Sequence, residues 1–139
     1  MSRKLSLEID PRVEELSVIT AAVEQFGDAE QWPPDMIFQI NLVIEELGLN
    51  IMTHGKTRDL EKIEITLTAE GESLTIEIVD NGHPFDPTSE APEPDLDVEL
   101  GERTIGGLGI HIVRSLVDNL RYRRQGGRNH VTLVKERVR

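Results

Sequence analysis

The spacing of apolar positions changes period several times along the chain, and each change marks an element. Leu5, Leu7 and Ile9 alternate with polar residues, which predicts an opening half-buried strand. Asp10-Pro11 reads as a helix cap and first turn, and Leu16, Ile19, Val23 and Phe26 then recur at helical spacing up to about Gly27. Asp28 to Pro34 is expected as a loop, and a second helix from about Asp35 to His54, with Ile37, Ile40, Ile44, Leu47 and Ile51 as its main apolar face. Period two returns at Ile63, Ile65 and Leu67 and again at Leu74, Ile76 and Ile78, a hairpin around Gly71. Residues 81–106 have no regular pattern, Gly107 to about Leu120 reads as a helix, and a second hairpin turns at Gly126-Gly127 with Val131, Leu133 and Lys135 on its last strand.

The order β-α-α-β-β-loop-α-β-β pairs strands locally and puts helices between the pairs. It predicts an α+β fold: a two-layer α/β sandwich with one mixed, mostly antiparallel sheet and its helices on one face. With 139 residues, a single domain over 1–139 is expected.

Composition removes several chemistries. The chain has no cysteine, so disulfides, thiol catalysis and cysteine-ligated metals are excluded. No uninterrupted apolar run approaches the ~18 residues of a membrane span, and the first residues carry no signal-peptide core, so a cytoplasmic protein without a membrane partner is expected. The net charge of −11 is uneven: residues 1–120 hold 8 Lys/Arg against 25 Asp/Glu, and residues 121–139 hold 7 against 1. The acidic bulk argues against nucleic acid as a partner, since phosphate neutralisation needs a basic face. The basic end reads as strands with solvated, outward Arg residues.

Three segments carry candidate chemistry. On the second helix Glu46 and Asn50 fall about 40° apart at roughly 100° per residue, and with Gln39 they form a narrow polar strip between apolar borders. A carboxylate and an amide side by side at a core edge can activate a hydroxyl and offer a hard oxygen to Mg²⁺; the same spacing also occurs in solvated pairs. Asp80-Asn81-Gly82 closes an alternating strand. Asn-Gly favours a hairpin turn, but His83-Pro84-Phe85-Asp86-Pro87 cannot continue a ladder, so a strand-end carboxylate able to accept from a base amine is the other reading. Asp86 to Glu102 holds seven acids, three prolines and no base, the composition of a mobile functional loop or of disorder. Gly106-Gly107-Leu108-Gly109 follows at a helix start, either a flexible hinge or an anion site of backbone amides. There is no Gly-Lys-Ser/Thr, and no third glycine completes a dinucleotide fingerprint.

In combination these segments resemble the GHKL (Bergerat-fold) ATP-binding superfamily: Glu46-x-x-x-Asn50, then Asp80-x-Gly82, a long loop, and Gly107-x-Gly109 opening a helix. The short chain, together with Val43-Ile44-Glu45-Glu46, His54-Gly55, the run Asp80 to Pro87 and Gly106 to Ile110, resembles the bacterial anti-sigma-factor serine/threonine kinases over about residues 5–137. The resemblance implies ATP or ADP with Mg²⁺ as ligands. Asp80 would take the adenine amine, with Gly82 and Pro84 beside the ring. Asn50 would hold Mg²⁺, and Glu46 would be the general base for a serine hydroxyl. Gly106, Gly107, Leu108 and Gly109 would meet the phosphates, and residues 86–106 would form the ATP lid. His54, one turn past Asn50, is placed to reach a phosphate or is an ordinary histidine at a helix C-terminus. The basic residue that some members place directly before the glycine box is absent: Thr104-Ile105 precede it, and Arg103 stands slightly upstream.

The resemblance also implies partners: a STAS-type anti-anti-sigma protein whose serine is phosphorylated, a sigma factor, and a second copy in a homodimer. The alternative is a nucleotide-binding regulatory module that sequesters a partner without phosphoryl transfer. A complete sensor histidine kinase does not fit in this length, and a Hanks-type kinase lacks its His-Arg-Asp loop.

Overall fold

The computed structural model describes residues 2–54, 60–88 and 107–138. The elements are β1 (Ser2–Ile9), α1 (Leu16–Ala29), α2 (Pro34–His54), β2 (Ile63–Glu70), β3 (Ser73–Asp80), α3 (Gly107–Leu116), β4 (Asn119–Gln125) and β5 (Arg128–Lys135). The strands make one five-stranded sheet in the order β1-β2-β3-β5-β4. Every pairing is antiparallel, so the sheet expected to be mixed is antiparallel throughout the described residues.

Alternation along the strands decides the layers. Ile63, Ile65 and Leu67 of β2, Leu74, Ile76 and Ile78 of β3, and Val131 and Leu133 of β5 are buried. They share one core with Ile19 and Val23 of α1, Ile40, Ile44 and Leu47 of α2, and Ile110 and Val113 of α3. Each such side chain contributes roughly 1.5–3 kcal/mol when removed from water, and the outward positions Glu64, Thr66, Thr75, Glu77 and Thr132 complete the period of two. Among the described residues, α2 alone is long and apolar enough to cross a membrane by length and composition. Its Ile37–Ile40–Ile44–Leu47 face is instead spent on the protein's own core.

The boundaries differ from expectation in two places. The segment after Asp10 makes a 3-10 turn, Val13–Glu15, and α1 begins only at Leu16 and runs past Gly27 to Ala29. The third helix was expected to reach Leu120, but it ends at Leu116 and the chain enters β4. Leu120 satisfies both periods: the spacing from Ile110 and Val113 fits a helix, yet it lies opposite Leu133 in the sheet. Tertiary bonds settle the choice. The Lys135 ammonium donates to the Leu116 carbonyl (2.6 Å), where a cation is favoured at a helix C-terminus. Asp118 N–H donates to the Val134 carbonyl (2.8 Å). β4 and β5 join at Gly126-Gly127 with φ of 61° and 73°, the left-handed pair that a two-residue hairpin needs.

Candidate functional site

Strand register builds one end of the site. Asp80, the last residue of β3, lies opposite Asn129 of β5, and Asn129 lies opposite Arg124 of β4. All three therefore stand on the core side of the sheet at one level. Asp80 and Asn129 are each 3% exposed, so their polar atoms need partners. Asn129 Nδ2 donates to Asp80 Oδ1 (3.1 Å) and to the His83 carbonyl (2.9 Å). Its Oδ1 accepts from the Tyr122 hydroxyl (2.6 Å) and Arg124 (3.2 Å). Arg124 also donates to the Gly82 carbonyl (2.7 Å). Gly82 N–H donates back to Asp80 Oδ1 (2.8 Å), closing the turn that stops the strand. Both bonds to Asp80 thus fall on Oδ1, and Oδ2 has no partner among the described residues. Burial pushes the Asp80 carboxyl above its usual range, opposed by the Gly82 amide, Asn129, Arg124 and His130.

α2 supplies the facing wall. Asn50 and Ile51 of α2, Asp80, Phe85, Pro87 and Asn129 line one narrow cleft with room for about a single water, some 10 Å³. Asn50 is buried, and its Nδ2 has no hydrogen-bond partner. An amide can turn to present either its oxygen or its nitrogen, so this position can offer a ligand oxygen. No group of three or more His, Asp or Glu side chains gathers to hold a metal ion among the described residues. A single amide oxygen suits a cation such as Mg²⁺, which usually keeps several waters. His54, exposed at the end of α2, stacks on Phe85 with ring centroids 4.7 Å apart and planes 14° from parallel.

One turn before Asn50, Glu46 meets α3. A Cβ on Gly109 would lie 2.2 Å from Glu46 Oε2, so only a glycine lets the start of α3 approach this carboxylate. Burial, and secondarily the neighbouring Glu45, pushes the Glu46 carboxyl above its ordinary range.

The structure therefore gathers Asn50 and Asp80 at one cleft, with Gly82 bonded to Asp80 and Glu46 in contact with Gly109 one helical turn before Asn50. Pro84 is exposed on the turn after Gly82, and Gly107 and Leu108 open α3. Gln39, grouped with Glu46 and Asn50 by helical angle, lies instead near Leu116, Val117 and Lys135. Gly106, Arg103 and residues 89–106 of the expected lid lie outside the described residues. Asn129, Tyr122 and Arg124 carry no signal of the site in the charge pattern, which alone reads the basic end as solvated arginines. The available signal was a polar Asn at an inward position two residues before Val131.

The histidine kinase-like ATPase domain family model matches residues 9–135. The serine/threonine-protein kinase BtrW of Bordetella bronchiseptica is 31% identical over 113 residues, 81% of this chain and 79% of the relative. An anti-sigma F factor of Clostridium acetobutylicum is 22% identical over 137 residues, 99% of this chain and 95% of the relative. Among solved structures, the RsbU and RsbW domains of Rv1364c from Mycobacterium tuberculosis share the fold, with a TM-score of 0.70 at 16% identity. That match covers 99% of this chain and spans 33% of the longer one. By its motifs, its fold and these relatives, the chain belongs to the histidine kinase-like ATPase domain family, among the anti-sigma-factor serine/threonine kinases.

Proposed function

We propose that the chain binds ATP in this cleft and transfers the γ-phosphoryl group to a serine or threonine of a partner protein. We propose further that it acts as an anti-sigma factor, exchanging a sigma factor for a STAS-type anti-anti-sigma protein, as a cytoplasmic homodimer in which residues 1–139 work as one domain. The observation that carries the reading is the joint lining of one cleft by a carboxylate with a free oxygen, Asp80, and an unpartnered buried amide, Asn50. The names of the relatives, a serine/threonine kinase and an anti-sigma factor, support the partner side.

Each residue then has a task. Asp80 Oδ2 accepts from the adenine amine, and the close backbone at Gly82 and Pro84 faces the ring. Asn50 holds Mg²⁺, which neutralises phosphate charge when bound. The amides at the start of α3, Gly107 to Gly109, face the phosphates, where a helix N-terminus favours an anion. Glu46 accepts the proton of the attacking hydroxyl as its oxygen bonds to phosphorus and ADP leaves. A carboxylate pushed upward by burial is better matched to this role at neutral pH. Transfer of this kind depends mostly on positioning and charge neutralisation.

The test is calorimetric titration of ADP and ATP, with and without Mg²⁺, into the protein and into Asp80→Asn. Asparagine keeps an oxygen for the two bonds at Oδ1 and replaces only the free acceptor. Binding that strengthens with Mg²⁺ and falls about 10–100-fold in the variant is expected, the loss of one charge-assisted hydrogen bond. Equal affinity of both proteins would overturn the role of Asp80. Incubation with ATP and a STAS-type protein from the same genome then separates kinase from sequestering module. A stable complex without phosphate on the partner would favour the second.

A further inference from the structure

The hydrogen bonds of Asn129 are complete. Its two N–H groups serve Asp80 and the His83 carbonyl, and its oxygen accepts from Tyr122 and Arg124. An amide has two donors and an oxygen with two lone pairs, so this one has a single orientation and no spare group to offer a ligand. The direction of the bond it gives to Asp80 is thereby fixed from behind by strand β4. Gly82 N–H reaches the same carboxylate oxygen. Two donors on one oxygen hold the carboxylate against rotation and leave the other oxygen, pure acceptor when ionised, for the cleft.

From this arrangement we infer that Asn129, clamped by Tyr122 and Arg124, is a positioning residue that makes the cleft select a 6-amino purine over a 6-oxo purine. The inference rests on the nucleotide reading above and deepens it. An acceptor in a fixed place rewards an amino group and repels a carbonyl oxygen. A carboxylate free to turn, or to take a proton and donate, discriminates less, because discrimination of this kind comes from leaving buried polar groups unpaired by the wrong ligand. The upward push that burial gives Asp80 makes the point sharper. Without the Asn129 N–H the carboxyl is easier to protonate, and a protonated acid can donate to a 6-oxo group.

The experiment compares ADP with inosine diphosphate, which differ at the purine 6-position and the adjoining ring N–H. Affinities are measured for the wild-type chain, Asn129→Ala, Tyr122→Phe and Asp80→Asn, with thermal unfolding to establish that each variant folds. The wild-type protein is expected to prefer ADP by about 10–100-fold, the worth of a charge-assisted hydrogen bond kept rather than lost. Asn129→Ala should reduce that preference about tenfold. Tyr122→Phe removes the hydroxyl's bond to Asn129 and should reduce the preference several-fold. In an Asp80→Asn background, Asn129→Ala should leave the ratio unchanged, because residues acting through one another are not additive.

A folded Asn129→Ala or Tyr122→Phe protein that loses affinity for both nucleotides equally would overturn the inference, since that is what a merely structural role predicts. If Asn129→Ala does not fold, Tyr122→Phe decides alone. A wild-type protein that binds ADP with an unchanged ratio in the variants overturns only this inference. A wild-type protein that binds neither nucleotide overturns the nucleotide reading and this inference with it.

Discussion

The two ends of the cleft are built on opposite principles. At the β3–β5 end, every hydrogen-bonding group of Asn129 is used, and Asp80 is held through Oδ1 by two donors. At the α2–α3 end, Asn50 is buried with an orphaned amide, and only burial and a like charge shift Glu46. A satisfied polar network in a low-dielectric place is rigid, and an unsatisfied one costs free energy until something completes it. The first end is therefore preorganised by the protein. The second is left unfinished, and in the proposed function it is where a phosphate chain and its cation would lie.

Breaking the second end chemically without disturbing its shape should give the largest effect. Glu46→Gln keeps volume and packing against Gly109 but cannot take a proton. Phosphoryl transfer to a STAS-type partner is expected to fall about 10²–10⁴-fold, the usual worth of a general base, with ADP affinity unchanged. Radiolabel transfer and calorimetry on the same preparation read both quantities. Undiminished transfer would remove Glu46 from the role.

The pH profile sharpens the comparison, because both carboxyls are pushed upward but by different surroundings. In the folded chain the Asp80 pKa is raised, so its stabilising contribution is full below the unfolded value and is lost as pH rises through the folded one. Asp80→Asn should therefore melt higher than wild type at neutral pH, and the gain should vanish at acid pH. Binding runs the other way. ADP needs the ionised acceptor, so affinity should fall by about tenfold per pH unit once pH drops below the raised Asp80 value, and Asp80→Asn should flatten the profile. Titrations of ADP across the acid range test this, and a flat wild-type profile would contradict it.

Two glycines separate function from stability. An added Cβ at Gly109 meets the far end of a flexible Glu46 side chain, whereas at Gly27 it meets Ile37 at 2.7 Å and Trp32 at 2.8 Å in the α1–α2 contact. Gly109→Ala should thus cost less than about 1 kcal/mol in stability but swing Glu46 away and lower transfer, a matter of a displaced reacting group. Gly27→Ala should cost about 1–3 kcal/mol by overpacking and leave transfer per folded molecule intact. Thermal unfolding beside transfer assays would expose any reversal of this pattern.

What could be read from the sequence divides between local signals and strand pairing. Glu46 and Asn50 showed because a helix repeats every few residues, and a polar strip between apolar borders is a local signal. Asp80 showed because its strand stops at Asn-Gly with no strand after it. Asn129 and Arg124 depend on the pairing of β3 with β5 and of β5 with β4, and local periodicity does not say which strands are neighbours. The end of α3 was misplaced for a related reason. Leu120 is apolar in either register, and only the bonds of Lys135 and Asp118 to other elements show that the helix has finished. Local patterns exposed Glu46, Asn50 and Asp80, and the Asn129, Tyr122 and Arg124 network that holds Asp80 needed the fold.

The smallest expected effect tests the unfinished state directly. Asn50 is 5% exposed and its Nδ2 is unpartnered, so in the ligand-free protein it is a net cost. Asn50→Leu removes the orphaned amide at similar volume beside Leu47 and Ile51, and should raise stability by about 1 kcal/mol, the lower range of an unmade buried hydrogen bond. The gain should appear only without nucleotide. With ADP and Mg²⁺ the wild-type chain should overtake the variant, since a ligand that binds the folded state alone stabilises it by mass action and the leucine gives the cation no oxygen. Unfolding curves of both proteins, free and with Mg²⁺–ADP, make the comparison. If Asn50→Leu were less stable than wild type in the free state, Asn50 would already be satisfied there, and the contrast between the two ends of the cleft would fail.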